Sequence, residues 1–280
     1  MEYIVAKELI FIVQMDKSFN TLISQFCNEK NNRLCIGLDY DIDRLPNSLV
    51  KDMASLHDYI IDVIEATISF TPVYKPNFAF FERYGSKGYS ILERIPDIVS
   101  GRAITIADAK RADIGNSSLK YNESILCGMG YDSITISPYM GRDSIEPFTT
   151  ERSKGVFVLC LTSNKGADDF QKKETNTGQL YFDVLELCKA INTNNNIGIV
   201  VGATQSSTME LVANKSDKLT WLMPGIGAQG GDLENSIRIG NMNGIGIVNV
   251  SRSIIYNKDS SIDSVCSAAK DYTDKIRRYL

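Results

Sequence analysis

Short runs of apolar, mostly β-branched residues alternate along the chain with longer segments whose apolar positions recur every three or four residues. The short runs are Arg33 to Asp39, Val73 to Phe81, Ala103 to Lys110, Asp132 to Ser137, Val156 to Ser163, Ile197 to Thr204, Leu219 to Gly225 and Gly246 to Arg252. They are near-continuously apolar, as parallel strands covered on both faces are. Between them lie amphipathic stretches such as SLHDYIIDVIEATIS and QLYFDVLELCKAIN; in the second, Leu180, Val184, Leu187 and Cys188 fall at helical spacing. Strand centres lie roughly 30 residues apart, the spacing of eight βα units. The pattern predicts an α/β fold, a (β/α)8 barrel of the TIM type, as a single domain over residues 1–280. A doubly wound open sheet is the structural alternative, and the count of eight favours closure. KKETNTG and NTNNN read as polar loops, the asparagines as a matter of composition. No tandem repeat or dividing linker is visible.

Composition narrows the function classes. The chain has 280 residues, a net charge of −4 and a pI near 5.2. It lacks the basic excess expected of a nucleic-acid binder. The six cysteines form no C-x-x-C pair, which points to reduced thiols in a cytoplasmic protein rather than a disulfide frame or metal site. The one histidine, His57, falls in a polar stretch and reads as a surface helix residue. That excludes most histidine-dependent catalysis. No apolar run reaches the ~18 residues of a membrane helix. The first segment, MEYIVAKELIFIVQ, carries Glu2, Lys7 and Glu8 and does not read as a signal peptide. Met15 offers an alternative start, which would make residues 1–14 an N-terminal appendage.

Chemistry concentrates in DAKRADIGNS, Asp108 to Ser117. Alternation along a strand puts Asp108 and Lys110 on one face at its C-terminal end, where barrels project catalytic groups. Asp113 follows in the turn. The same alternation puts Lys75 and Asn77 on one face of the second strand, and the first ends in Asp39. Lys75, Asp108, Lys110 and Asp113 would make an alternating array of ammonium and carboxylate groups that keep one another charged. D-x-K-x-x-D alone suits a structural ion-pair network as well as a site. IGNS and the matching Lys75-x-Asn77 shift the balance to a site. A second signal is MPGIGAQGGD after the seventh strand, whose glycines allow backbone amides to approach a phosphate and whose Gln229 adds a donor. Arg252, at the end of the eighth strand, falls beside it, where barrels often hold phosphate. A plain glycine-rich turn is the bland alternative. The fifth strand ends in LTSNKGADDFQ, where Ser163 stands at the mouth and the polar loop serves as a lid or as ordinary surface.

Together these residues resemble the orotidine 5′-phosphate decarboxylase family, in its longer bacterial-type branch with TSN after strand five and PGIGAQGG after strand seven. The likeness runs from about Cys27 to the C-terminus. It implies conversion of orotidine 5′-phosphate (OMP) to UMP and CO2, the last step of UMP synthesis, with no cofactor and no metal. By resemblance Lys110 is the acid that protonates C6, Asp108 lies against the substrate carboxylate, and Lys75 and Asp113 complete the array. Asp39, Lys75, Asp113 and Ser117 match the ribose-binding set, with Asn77 beside them. Ser117 departs conservatively from the threonine of many relatives. Ser163 matches the contact to the base, and Gln229 and Arg252 match the phosphate ligands. A homodimer is also implied, with Asp113 and Ser117 serving the neighbouring subunit's site. Two rivals stand beside this one. A hexulose phosphate synthase-like lyase shares D-x-K-x-x-D but needs an acidic metal ligand where this chain has Lys75. A non-catalytic phosphate-binding barrel accounts for the glycines and Arg252 but not for the inward charges.

Overall fold

The structure is a computed structural model and describes residues 17–203, 206–227 and 231–280. The Met15 start and the appendage 1–14 therefore lie outside the described residues, as does Gln229. Eight parallel strands close into a barrel: β1 Leu34–Leu38, β2 Val73–Pro76, β3 Ile104–Arg111, β4 Ser133–Ile136, β5 Gly155–Leu161, β6 Ile197–Val201, β7 Thr220–Pro224 and β8 Gly246–Val250. Each strand pairs with its neighbours in sequence. The first and last pair with each other, Leu34 with Val248, Cys35 with Asn249 and Ile36 with Val250. That last pairing excludes the open doubly wound sheet. No helix among the described residues is long and apolar enough to cross a membrane.

The helices are α1 Phe19–Glu29, α2 Met53–Thr67, α3 Phe78–Glu82, α4 Ser86–Val99, α5 Gly115–Asn122, α6 Leu180–Ile191, α7 Ser206–Ala213, α8 Leu233–Gly240, α9 Arg252–Ile255 and α10 Ile262–Arg277. Side-chain caps start several of them: Ser18, Asp52, Asp232 and Ser261 each accept a backbone N–H of the first turn. One expectation fails here. The run Val73 to Phe81 is not one strand: β2 stops at Pro76, and Asn77 caps α3 by accepting the Ala79 N–H at 3.3 Å. Phe78 and Phe81 are buried one helical turn apart. An all-apolar FAFF carries no periodicity that separates strand from helix. In α6 the buried face is Tyr181, Leu185, Cys188 and Ile191, with Leu180, Val184 and Leu187 on its flanks.

Strand alternation fills the barrel. Its lower interior holds Cys35, Val73, Ile104, Ile106, Phe157, Val200, Leu222 and Ile247. The N-terminal end is closed by α1, which packs Phe19, Leu22, Ile23 and Cys27 against them. Phe19 meets Phe157 edge to face at 5.8 Å. A Cβ at Gly155 would lie 2.1 Å from the Phe19 ring, so only glycine fits there. The asparagine-rich turn before β6 is structural rather than merely compositional. Asn196 is fully buried and donates to the carbonyls of Thr149, Glu151 and Lys154 at 3.0–3.1 Å. Apolar filling below leaves the C-terminal mouth for polar chemistry.

Candidate active site

The inward positions change character towards the C-terminal ends of β2 and β3. Above Val73 comes Lys75, and above Ile106 comes Asp108; both are buried. Lys75 Nζ donates to Asp108 Oδ2 at 2.6 Å, Lys110 Nζ donates to Oδ1 at 2.6 Å, and Thr135 Oγ1 donates to Oδ1 at 2.9 Å. One carboxylate thus serves two ammonium groups. Burial by itself would raise the Asp108 pKa, but Lys75 and Lys110 override it and hold the carboxyl well below the usual range. Burial would likewise lower Lys75, but the Asp108 and Asp39 carboxylates hold its ammonium above its ordinary pKa.

Lys110 reaches Asp108 by a route that simple alternation does not supply. Its φ is +46°, a left-handed conformation that costs a non-glycine residue about 1–3 kcal/mol. The register with β4 slips between Ala107 and Arg111, and Lys110 N donates to Thr135 Oγ1 at 3.1 Å. The expected flat strand face is therefore corrected to a bulge. Its effect is to leave Asp108 buried while the Lys110 side chain, half exposed, sits at the rim.

A cavity of about 230 Å³ opens over this array. Asp39, Lys75, Asn77, Asp108 and Lys110 line one side; Gly225, Ile226 and Arg252 line another, so the glycine loop and Arg252 do converge. Asp39 Oδ1 is buried without a hydrogen-bond partner among the described residues. Asn249 and Ser251 also line the cavity, and sequence reasoning missed both. Asn249 lies near the end of β8 and Ser251 two residues on, just past it, as Lys75 and Asn77 lie at the end of β2 and just past it, so the signal was present. Gly37 makes room for them: a Cβ there would lie 2.7 Å from Ser251 Cβ. A larger depression of about 580 Å³ around His57, Glu93 and Arg94 lies between α2 and α4, away from these groups.

Three other candidates do not line the cavity. Asp113 sits in the turn after β3, where its Oδ1 accepts the Ile114 N–H at 2.8 Å. Ser117 is exposed on α5. Ser163 lies beyond the end of β5, packed so closely on Gly202 that a Cβ there would be 2.8 Å from Ser163 N. Within one chain the four-member array is thus a three-member one.

Residues 32–262 match the model of the orotidine 5′-phosphate decarboxylase / HUMPS family. The chain belongs to this family. Relatives within it include an orotidine 5′-phosphate decarboxylase of Dehalococcoides mccartyi, 42% identical over 92% of this chain and 96% of the relative. Another, from Natronomonas pharaonis, is 38% identical over 94% and 99%. Among solved structures, an OMP decarboxylase of Leishmania donovani superposes with a TM-score of 0.79 at 33% identity, covering 94% of this chain and 98% of that one. With relatives named orotidine 5′-phosphate decarboxylase at 38–42% identity over nearly their whole length, the chain is an enzyme of the carboxy-lyase class. The Lys75, Asp108 and Lys110 cluster at its barrel mouth is where that chemistry has to be sought.

Proposed function

We propose that this enzyme converts OMP to UMP and CO2 without a cofactor, in the cavity over Asp108. The observation that carries the proposal is the pair of 2.6 Å contacts that fix two ammonium groups on one buried carboxylate. Loss of CO2 breaks the C6–carboxyl bond and leaves its electron pair on C6, with no conjugated sink. An ammonium fixed beside C6 stabilises that pair and supplies a proton. In this scheme Lys110, at the rim, gives its proton to C6 and regains one from solvent. Asp108 faces the departing carboxylate, and Lys75 keeps Asp108 charged and in place.

The remaining lining, together with Gln229 and with Ser163 from outside that lining, would place the rest of the substrate. Arg252, Gln229 and the backbone amides of the glycine loop would bind the phosphate. Asp39, with an oxygen left free to accept, and Asn77 would bind ribose hydroxyls, and Ser163 would contact the base. Phosphate binding far from C6 can organise the loops around the reacting atoms, so that its benefit is realised in the transition state. Asp113 and Ser117 would act on the site of a second copy in a homodimer. Ile114, Leu119 and Tyr121 support that assignment, because they expose apolar surface on the same turn and helix. Six unpaired cysteines support a reducing compartment, the cytoplasm.

Lys75 also weighs against a metal-dependent lyase, since its ammonium already neutralises the carboxylates a cation would need. The test is to incubate the enzyme with OMP, with and without chelator, and to follow CO2. The proposal expects equal release in both; release abolished by chelator, or absent from both, would overturn it.

A further inference from the structure

Lys110 is held in a backbone conformation that lysine rarely adopts, and β3 is out of register with β4 across the same residues. A bulge that aims a side chain needs a fixed return to the ladder. Arg111 supplies it: it pairs with Ile136, and its carbonyl accepts the Ser137 N–H at 3.0 Å. Its guanidinium then folds back. It donates to the Ala109 carbonyl at 3.2 Å, forms an ion pair with Glu82, and lies over the rings of Phe78 and Tyr121 at 5.8 and 5.4 Å. Tyr89 completes the group by donating to Glu82 at 2.9 Å.

The location of Glu82 gives the cluster its significance. It ends α3, the helix capped by Asn77, and the Asn77 backbone itself bridges Asp108. Besides the Lys75–Asp108 ion pair, the strand that carries Lys75 and the bulge that carries Lys110 are thus tied at Asn77–Asp108 and, through α3, at Glu82–Arg111. Only 19% of the Arg111 side chain and 30% of the Glu82 side chain are exposed, so solvent screens the ion pair only in part.

We infer that Glu82, Arg111 and Tyr89 form a clamp that positions Lys110, holding its left-handed backbone so that the ammonium meets Asp108. None of the three lines the cavity, so they act through Lys110 and not on substrate. The inference rests on the decarboxylase proposal above and adds residues that D-x-K-x-x-D does not include.

The test compares Arg111→Met, Glu82→Gln, Glu82→Asp and Tyr89→Phe with wild type in OMP turnover, UMP affinity and melting temperature. A misplacement of the order of 1 Å at the acid is expected to lower kcat about 10–100-fold for the first two variants. UMP affinity should stay within about threefold, since the contacts to phosphate and ribose are untouched. Glu82→Asp should recover part of the loss. The double variant Glu82→Gln/Arg111→Met should be no slower than the worse single one, because one clamp is broken either way. A crystal structure of Arg111→Met, or of Tyr89→Phe should Arg111→Met fail to fold, reads the Lys110–Asp108 contact without any turnover. Loss or lengthening of the contact supports the clamp even if wild type proves inactive on OMP, an outcome that overturns only the decarboxylase proposal. An intact contact with kcat unchanged, or kcat and UMP affinity falling together with melting temperature, overturns the clamp.

Discussion

Replacing Asp108 by asparagine keeps the shape of the side chain but removes the one carboxylate that two ammonium groups share. Lys75 is 5% exposed and Asp108 10%, so the pair is desolvated and the change leaves a buried ammonium facing an amide. Breaking a buried ion pair by removing one partner costs about 3–5 kcal/mol. For a chain of this size that corresponds to a drop in melting temperature of roughly 5–9 °C. The pH dependence has a definite sign. The Asp108 pKa is depressed in the folded state, so its contribution is present above the unfolded value of about 3.9 and is lost as pH falls from there. The Lys75 pKa is raised, so its contribution is present below the unfolded value of about 10.4 and is lost as pH climbs through the folded one. The gap between wild type and Asp108→Asn should therefore shrink below about pH 4, and narrow again on the alkaline side as the unpaired, buried Lys75 of the variant gives up its proton. Calorimetric melts of both proteins from acid to alkaline pH make the measurement. A gap under about 3 °C at pH 7, or one that fails to shrink below about pH 4, would refute a buried and mutually charged pair.

Arg252→Ala should raise KM for OMP at least tenfold, with little change in melting temperature; an unchanged kcat/KM would remove Arg252 from the phosphate site. Gly37→Ala should cost about 1–3 kcal/mol and lower activity as well, because its Cβ would push Ser251 and Asn249 into the cavity. Denaturant unfolding and steady-state rates check both effects, and a variant equal to wild type in both would show that the cavity wall yields freely.

Much of this organisation was legible in the residues, because periodicity and alternation are local. All eight strands announced themselves as apolar runs, and alternation alone placed Lys75 and Asn77 in the cavity. What stayed hidden depends on contacts distant in sequence. Thr135 meets Asp108 only because β3 and β4 pair, and the role of Phe19 below the barrel depends on Gly155 and Phe157. The left-handed turn at Lys110 was hidden for another reason: AKR contains no glycine or asparagine to mark it, and the tie that accompanies it, Glu82 to Arg111, spans 29 positions. Strand β2 was read too long because a run of phenylalanines suits helix and strand alike.

The central claim, that Lys110 is the acid of a cofactor-free decarboxylation, is tested most directly by Lys110→Ala measured for CO2 release from OMP and for UMP binding in parallel. The account predicts that CO2 release is abolished while the fold remains intact and UMP still binds. Near-normal CO2 release from Lys110→Ala would contradict it.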